Sequence, residues 1–144
     1  MTAASARIAA AVAALPLRPG LRVLELGCGP GVALREVARI VGPSGHVLGV
    51  DRSAKAIAQA RAGCCEGIAA GLIALRHSAA EDLVLLPGEA PYDLAFALRV
   101  GAFDGRHPQA GDRALARLRA MLAPGARFFI DTGAPLTELA LSPH

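Results

Sequence analysis

The chain of 144 residues contains no tryptophan, one tyrosine (Tyr92), four phenylalanines and one lysine (Lys55). So few aromatic rings leave no stacking platform of the kind that reads single-stranded nucleic acid. The formal charge is +3 and the pI 9.1. The basic residues are nonetheless scattered arginines, among them Arg7, Arg22, Arg39, Arg76 and Arg99, and form no stripe that would track a phosphate backbone. A GC-rich coding bias, which raises Ala, Gly and Arg together, accounts for them more simply, and no nucleic-acid partner is expected. Long hydrophobic runs are missing too. The uncharged stretch from Ile8 to Leu17 falls well short of the roughly 20 residues a membrane span needs. Arg7 ahead of an Ala-rich run has the outline of a secretory leader, but the first core strand begins at Leu21 and leaves no room for one. A cytoplasmic protein is expected. The three cysteines, Cys28 and the adjacent Cys64 and Cys65, have no metal-ligand spacing. No metal is expected, and Cys64 and Cys65 are read as small buried hydrophobes at the end of a helix. The length suits one domain, 1–144, with an N-terminal helix within 1–20 and a short tail over 132–144.

What is present is concentrated near the N-terminus. Leu21 to Leu26 reads as a buried parallel strand, Gly27, Gly29 and Gly31 as a tight turn, and Val32 to Val41 as a helix. Glycine suits that turn because it tolerates positive φ and because a Cβ would obstruct a ligand. A second apolar strand ends at Asp51. A dinucleotide fingerprint G-x-G-x-x-G counted from Gly27 would need glycine at position 32, where Val32 stands. There is also no Tyr-x-x-x-Lys pair, which further disfavours a nicotinamide-dependent reductase.

The pattern that does stand there is E-x-G-x-G-x-G, from Glu25 to Gly31. It resembles motif I of the class I S-adenosylmethionine-dependent methyltransferases, and the resemblance runs from about Ile8 to Asp131, with likeness to short bacterial members. It implies an α/β, Rossmann-like three-layer sandwich with a mostly parallel sheet ordered 3-2-1-4-5. It also implies S-adenosylmethionine as cofactor and S-adenosylhomocysteine as product. On that resemblance Gly27, Cys28, Gly29 and Gly31 shape the cofactor loop, and Glu25 fixes the loop or reaches the cofactor's amino group. Asp51 binds the ribose with Arg52 beside it, and Leu98 closes the site at the end of strand four. A carboxylate fits a vicinal diol because it offers two acceptor oxygens and no donor. Ser53 is free to cap the following helix, Ala54 to Ala62. Ala80-Glu-Asp-Leu83 resembles the segment that passes the adenine ring, so Ala80 and Glu81 are adenine contacts, or Glu81 is only a first-turn helix acid.

Further elements follow in the order the family expects. Gly63 to Gly71 is a loop or broken helical turn, Leu72 to His77 strand three, Tyr92 to Leu98 strand four, Gln109 to Leu122 a helix, and Ala126 to Asp131 strand five. His46 and His77 are read as satisfied structural histidines and Asp93 as a structural residue. Asp104 and His107, in the loop after strand four, are the candidate bases, or else Asp104 serves a turn and His107 only precedes a helix. The tail after Asp131 is expected to hold one short helix over Leu136 to Leu141, without strands six and seven. Strand five would then be an exposed edge, suggesting a homodimer through it. The N-terminal helix, with Ile8, Val12 and Leu15 at helical spacing, is a partial lid or simply packs on the sheet. The expected function is methyl transfer to an O, N or C nucleophile on a small molecule; the alternative is a non-catalytic cofactor-binding sensor or subunit.

Overall fold

The computed structural model describes residues 3–98, 108–132 and 135–141. Its centre is a sheet in the order β3-β2-β1-β4-β5-β6. The strands are β1 Arg22–Leu26, β2 His46–Asp51, β3 Ile73–His77, β4 Tyr92–Ala97, β5 Leu122–Ile130 and β6 Thr137–Leu139. The first five run parallel and β6 is antiparallel to β5. The helices are α1 Ala3–Ala14, α2 Val32–Val41, α3 Ala54–Gly63, α4 Cys65–Ala69 and α5 Pro108–Met121, with a 3₁₀ turn at Ala80–Asp82.

Strand alternation builds two cores from one strand. Val23 points into the core shared with Val12, Leu15, Leu34 and Val37. Leu24 and Leu26 point into the core shared with Leu118, Met121 and Phe128. A sheet buried on both faces needs near-continuous apolar strands, which is why β1 and β2 lack polar alternation. Helix α2, with the bounds anticipated from its sequence, buries Ala33, Leu34, Val37, Ala38 and Val41 on one i, i+3/i+4 face. Ser53 caps α3 by accepting the Ala56 N–H at 3.1 Å. None of the helices among the described residues is long and apolar enough to cross a membrane.

Three expectations are corrected. The tail forms β6 instead of a helix over Leu136 to Leu141, so a sixth strand exists and β5 is paired along Phe128↔Leu139, Phe129↔Glu138 and Ile130↔Thr137. The cause is side-chain anchoring that local propensity does not register. Glu138 accepts two bonds from the Arg127 guanidinium at 2.8 and 2.9 Å, the Thr137 hydroxyl donates to the Thr132 carbonyl, and Leu139 packs on the second core. The exposed-edge premise for a homodimer is thereby removed. Second, β5 begins at Leu122 rather than Ala126, with a register shift between Tyr92 and Leu94 that absorbs the Pro124-Gly125 turn. Third, Cys65 is exposed while Cys64 is buried, because α4 interrupts the region read as loop or broken turn.

At the edge of β4 a polar cluster pins the 83–91 connection. Glu89 accepts from the Tyr92 hydroxyl at 2.6 Å, from Arg76 at 2.8 Å and from the Leu86 N–H at 2.9 Å. Arg22 lies over the Tyr92 ring, 4.6 Å from its centroid. Burial pushes the Glu89 carboxyl upward, but the bonds from Arg76, Tyr92 and Leu86 outweigh it and hold its pKa below the ordinary 4.5. A lowered folded-state pKa contributes stability above the unfolded value that disappears as pH falls through the folded one. Glu89→Gln is therefore expected to cost about 1.5–3 kcal/mol at pH 7, since charge-assisted bonds are lost. Urea denaturation should show the gap to the wild-type chain closing below pH 4; a pH-independent gap would contradict the assignment.

Candidate cofactor and acceptor site

The C-terminal ends of β1, β4 and β5 open into a cavity of about 390 Å³. Its walls include Glu25, Gly27, Cys28, Gly29, Leu98 and Asp131. Open α/β sheets bind ligands in this position, where neighbouring strand connections diverge to opposite faces. Helix α1 covers the cavity with Ser5, Arg7, Ile8 and Ala11 while Ala11, Val12 and Leu15 are buried, so it both lids the site and packs on the core.

Glu25 is the most unusual group in the site. It stands in the central strand, 2% exposed, and its Oε1 has no hydrogen-bond partner among the described residues. Burial, and then the nearby Asp51 carboxylate, raise its pKa well above the ordinary value. A buried carboxyl oxygen with nothing to bind, on the wall of a cavity, has the character of a ligand contact. The ammonium of an amino-acid-like ligand would suit it.

Asp51 stands at the end of β2 with each oxygen half used. Oδ2 accepts the Gly29 N–H at 2.9 Å and Oδ1 accepts the Ser53 N–H at 2.8 Å. It thus ties the glycine loop to the start of α3 and keeps acceptor capacity for a diol. Its cap-like bond and its ligand-binding capacity coexist.

The loop glycines divide the work. Gly29 has φ +54° and a Cβ built on it would meet nothing within 4 Å, so its open side is available space. Gly31, at φ +91°, would instead place a Cβ 2.7 Å from Cys64 Sγ and 3.4 Å from the Ala60 Cβ. Ligand approach does not explain Gly31; the close seat of α3 under the loop does. The Cys28 thiol is pushed up to about 12, by burial first and then by Glu25 and Asp51, which leaves it protonated and non-nucleophilic at neutral pH.

Not all expected contacts gather here. Leu98 lines the cavity, whereas Asp51, Arg52, Ala80 and Glu81 do not. Arg52 is exposed and its carbonyl lies 3.0 Å from His77 Nε2; His46 Nδ1 similarly lies 3.0 Å from the Gly71 carbonyl, so both histidines are structural as read. The Arg22 N–H donates to Asp93 Oδ2 at 2.9 Å, also structural. Ala80 packs against the second core, and Glu81 in the 3₁₀ turn has no hydrogen bond or ion pair among the described residues. Asp104 and His107 lie outside the described residues.

Gly49 and two charged wall residues escaped sequence reasoning. Gly49 faces Glu25 across the β1–β2 ladder, and a Cβ there would sit 2.5 Å from Leu34 Cδ1 and 3.1 Å from the Cys28 Cβ, so its bareness seats the loop. A glycine inside an otherwise apolar strand was the available signal. Arg7 and Asp131, the other charged wall residues among those described, carry no motif at all.

A family model described as a methyltransferase domain matches residues 23–125. A probable cobalt-precorrin-6B C(15)-methyltransferase (decarboxylating) of Saccharolobus solfataricus is 35% identical over 83 residues, 58% of this chain and 37% of that protein. A ribosomal RNA large subunit methyltransferase E of Desulfatibacillum aliphaticivorans is 57% identical over 35 residues, 24% of this chain and 17% of that protein. The crystal structure of an S-adenosylmethionine dependent methyltransferase from Mesorhizobium loti matches with a TM-score of 0.64 at 28% identity, over 83% of this chain and 50% of that one. The chain thus spans half or less of the length of each of these relatives.

Proposed function

Because this chain belongs to the S-adenosylmethionine-dependent methyltransferase family, we propose that it transfers a methyl group to an O, N or C nucleophile on a small molecule held in the cavity beneath α1. The observation that carries this is the unpartnered Glu25 Oε1 on the wall of a 390 Å³ cavity next to the bare side of Gly29. The residues present fit the cofactor. Glu25 offers an acceptor to its ammonium, Gly27 and Gly29 give it room, and Asp51 offers two oxygens to its ribose hydroxyls. When bound, the cofactor supplies a methyl group already activated on a sulfonium.

The chain's own task is then mainly geometric. The glycine loop, locked through the Gly29 to Asp51 bond, is a rigid cradle, and rigid positioning of two reactants accounts for much of the barrier lowering in such transfers. Helix α1 shields the cavity from water. Asp104 and His107, by their place after β4, are the candidates to remove a proton from an acceptor that carries one. The largely apolar walls, with Ile8, Val32 and Leu98 among them, favour a compact organic acceptor over a polynucleotide, as does the scarcity of aromatic residues.

Calorimetric titration with S-adenosylhomocysteine tests the cofactor assignment. Saturable binding is expected, weakened at least tenfold, about 1.4 kcal/mol, in Asp51→Ala. Binding unchanged by the substitution would remove Asp51 from the site. Methyl transfer from labelled cofactor to small molecules, with ribosomal RNA fragments and a protein mixture as competing acceptors, then tests the acceptor class. A chain that binds the cofactor and methylates none of them would favour the non-catalytic sensor or subunit.

A further inference from the structure

The register of the sheet fixes what stands on the far side of the cavity. Glu25 of β1 pairs with Phe96 of β4, which pairs with Phe129 of β5. Phe96 and Phe129 share one core with Val23 of β1, Val12 of α1 and Val37 of α2. Side chains alternate along a strand, so two residues further on Gly27, Leu98 and Asp131 continue that same face at the strand ends. All three line the cavity. Neighbouring strands lie about 4.8 Å apart, which puts Asp131 about 10 Å across the cavity from the glycine loop, with the apolar Leu98 between them. The charged wall residues among those described are Glu25, Arg7 and Asp131. Glu25, with its buried and unpartnered Oε1, marks the cavity as a ligand site and belongs to the cofactor end. Arg7 enters on α1, which packs on α2, the helix that the glycine loop opens, and so approaches from that end too. Asp131 is the charged residue of the β5 end, with Leu98 and Pro135 as its apolar companions on the wall.

Cofactor held at the glycine-loop end leaves the β5 end to the methyl acceptor. We propose that Asp131 is the acceptor-binding residue of this cavity and that the acceptor is an amine. The inference rests on the cofactor binding at Glu25 and Asp51 described above. The movement of charge selects this class. An ammonium first sheds one proton to solvent; the neutral nitrogen then forms the N–C bond with its lone pair while the electron pair of the breaking C–S bond stays on sulfur. Positive charge thereby passes from sulfur to nitrogen, and the product is an N-methylammonium. A carboxylate fixed on the nitrogen's side of the cavity stabilises that charge as it develops, under a helix that shields the site from water. It also accepts a charge-assisted hydrogen bond that orients the nitrogen. The same group repels an anionic acceptor such as a carboxylate, which makes it a device of selection as well as of binding.

The test titrates benzylamine, benzyl alcohol and benzoate, alike in size and apolar body, into protein loaded with S-adenosylhomocysteine, by calorimetry on the wild-type chain, Asp131→Asn and Asp131→Glu. The wild-type chain is expected to favour benzylamine by tenfold or more. Asp131→Asn should lose that preference and Asp131→Glu keep part of it, while both bind S-adenosylhomocysteine within twofold of wild type. Methyl transfer from labelled cofactor should then run to amines, with kcat/KM at least tenfold lower in Asp131→Asn. Preference for the alcohol or for benzoate, no uptake of the amine, or amine binding unmoved by Asp131→Asn would overturn the proposal. A loss of S-adenosylhomocysteine affinity beyond twofold in Asp131→Asn would assign the residue to the cofactor's contacts or to the fold and overturn it likewise. Failure of the wild-type chain to bind S-adenosylhomocysteine would overturn the cofactor assignment and this proposal together, an outcome distinct from the others.

Discussion

Glu25→Gln is expected to make the ligand-free protein more stable at pH 7 while weakening its hold on S-adenosylhomocysteine by roughly 10- to 100-fold. The two effects share one origin. In the native chain the Glu25 carboxyl is buried, lacks a partner at Oε1 and is raised in pKa by burial and then by Asp51. Its unfolded-state counterpart ionises near the ordinary value of 4.5. A raised folded pKa means that the group's contribution is fully present below the unfolded value and is lost as pH rises through the folded one, because the unfolded chain releases its proton first. Glutamine has the same shape and no proton to lose. The stability difference between the variant and wild type should therefore be smallest near pH 4 and grow with pH. Each 1 kcal/mol corresponds to about 2–4 °C in melting temperature for a chain somewhat above 100 residues. Binding responds in the opposite direction because the ligand's ammonium draws Glu25 into its carboxylate form, and glutamine keeps an acceptor but cannot form that ion pair, a loss of about 1.5–3 kcal/mol. Thermal melts from pH 4 to 8 with and without ligand check both halves. A variant less stable than wild type at pH 7, or one that binds as tightly, would show that Glu25 is a core residue with a satisfied role.

Gly31→Ala and Gly29→Ala are expected to fail for different reasons, although the residues stand two apart in one loop. At Gly31 the backbone has φ +91°, and the added methyl would meet Cys64 Sγ at 2.7 Å. Left-handed backbone costs an alanine about 1–2 kcal/mol and overpacking a buried contact about 1–3 kcal/mol more. Gly31→Ala should lower the stability by about 3 kcal/mol, a large share of a typical total of roughly 5–15 kcal/mol. Part of that loss should be recovered in the Cys64→Ala background, where the obstructing sulfur is absent; purely additive losses would mean that the clash relaxes elsewhere. Gly29→Ala meets no atom within 4 Å, so only the cost of its φ of +54° remains, about 1 kcal/mol. Its new methyl group would instead occupy the space offered to the cofactor, and affinity for S-adenosylhomocysteine should fall more than tenfold in a folded protein. Denaturation curves and titrations on the same preparations separate the two outcomes. Equal stability losses at both positions would dissolve the distinction.

Some of this was legible in the chain alone. The bounds of α2, the cap at Ser53 and the loop from Glu25 to Gly31 follow from short-range signals: helical periodicity, a capping hydroxyl and glycines at fixed spacing; the strand order β3-β2-β1-β4-β5 was implied by the family resemblance that the loop carries. These signals act within a few residues, and the backbone preferences behind them do not depend on distant partners. The cofactor came through the resemblance of the Glu25 to Gly31 motif and of Asp51 at the end of the second strand to the methyltransferase family; the residues by themselves offer a bare loop and an acceptor for a diol.

Other features depended on residues far apart in sequence. Strand β6 exists because Arg127 holds Glu138 and because β5 offers unpaired backbone groups, neither of which a 13-residue tail announces by itself. Gly31 belongs to helix packing rather than to ligand approach because Cys64, 33 residues later, sits beneath it. The cavity draws its charges from α1, β1 and β5, and Arg7 and Asp131 meet there only once the sheet has ordered its strand ends. The sequence by itself determined the first four strands, helices α2 and α3, the cofactor loop and, through its motif, the family, since these are written in local pattern. Which carboxyl is left unpartnered, which glycine faces open space and which cation lines the cavity were decided by tertiary structure, because burial and pairing are properties of neighbours brought together by folding.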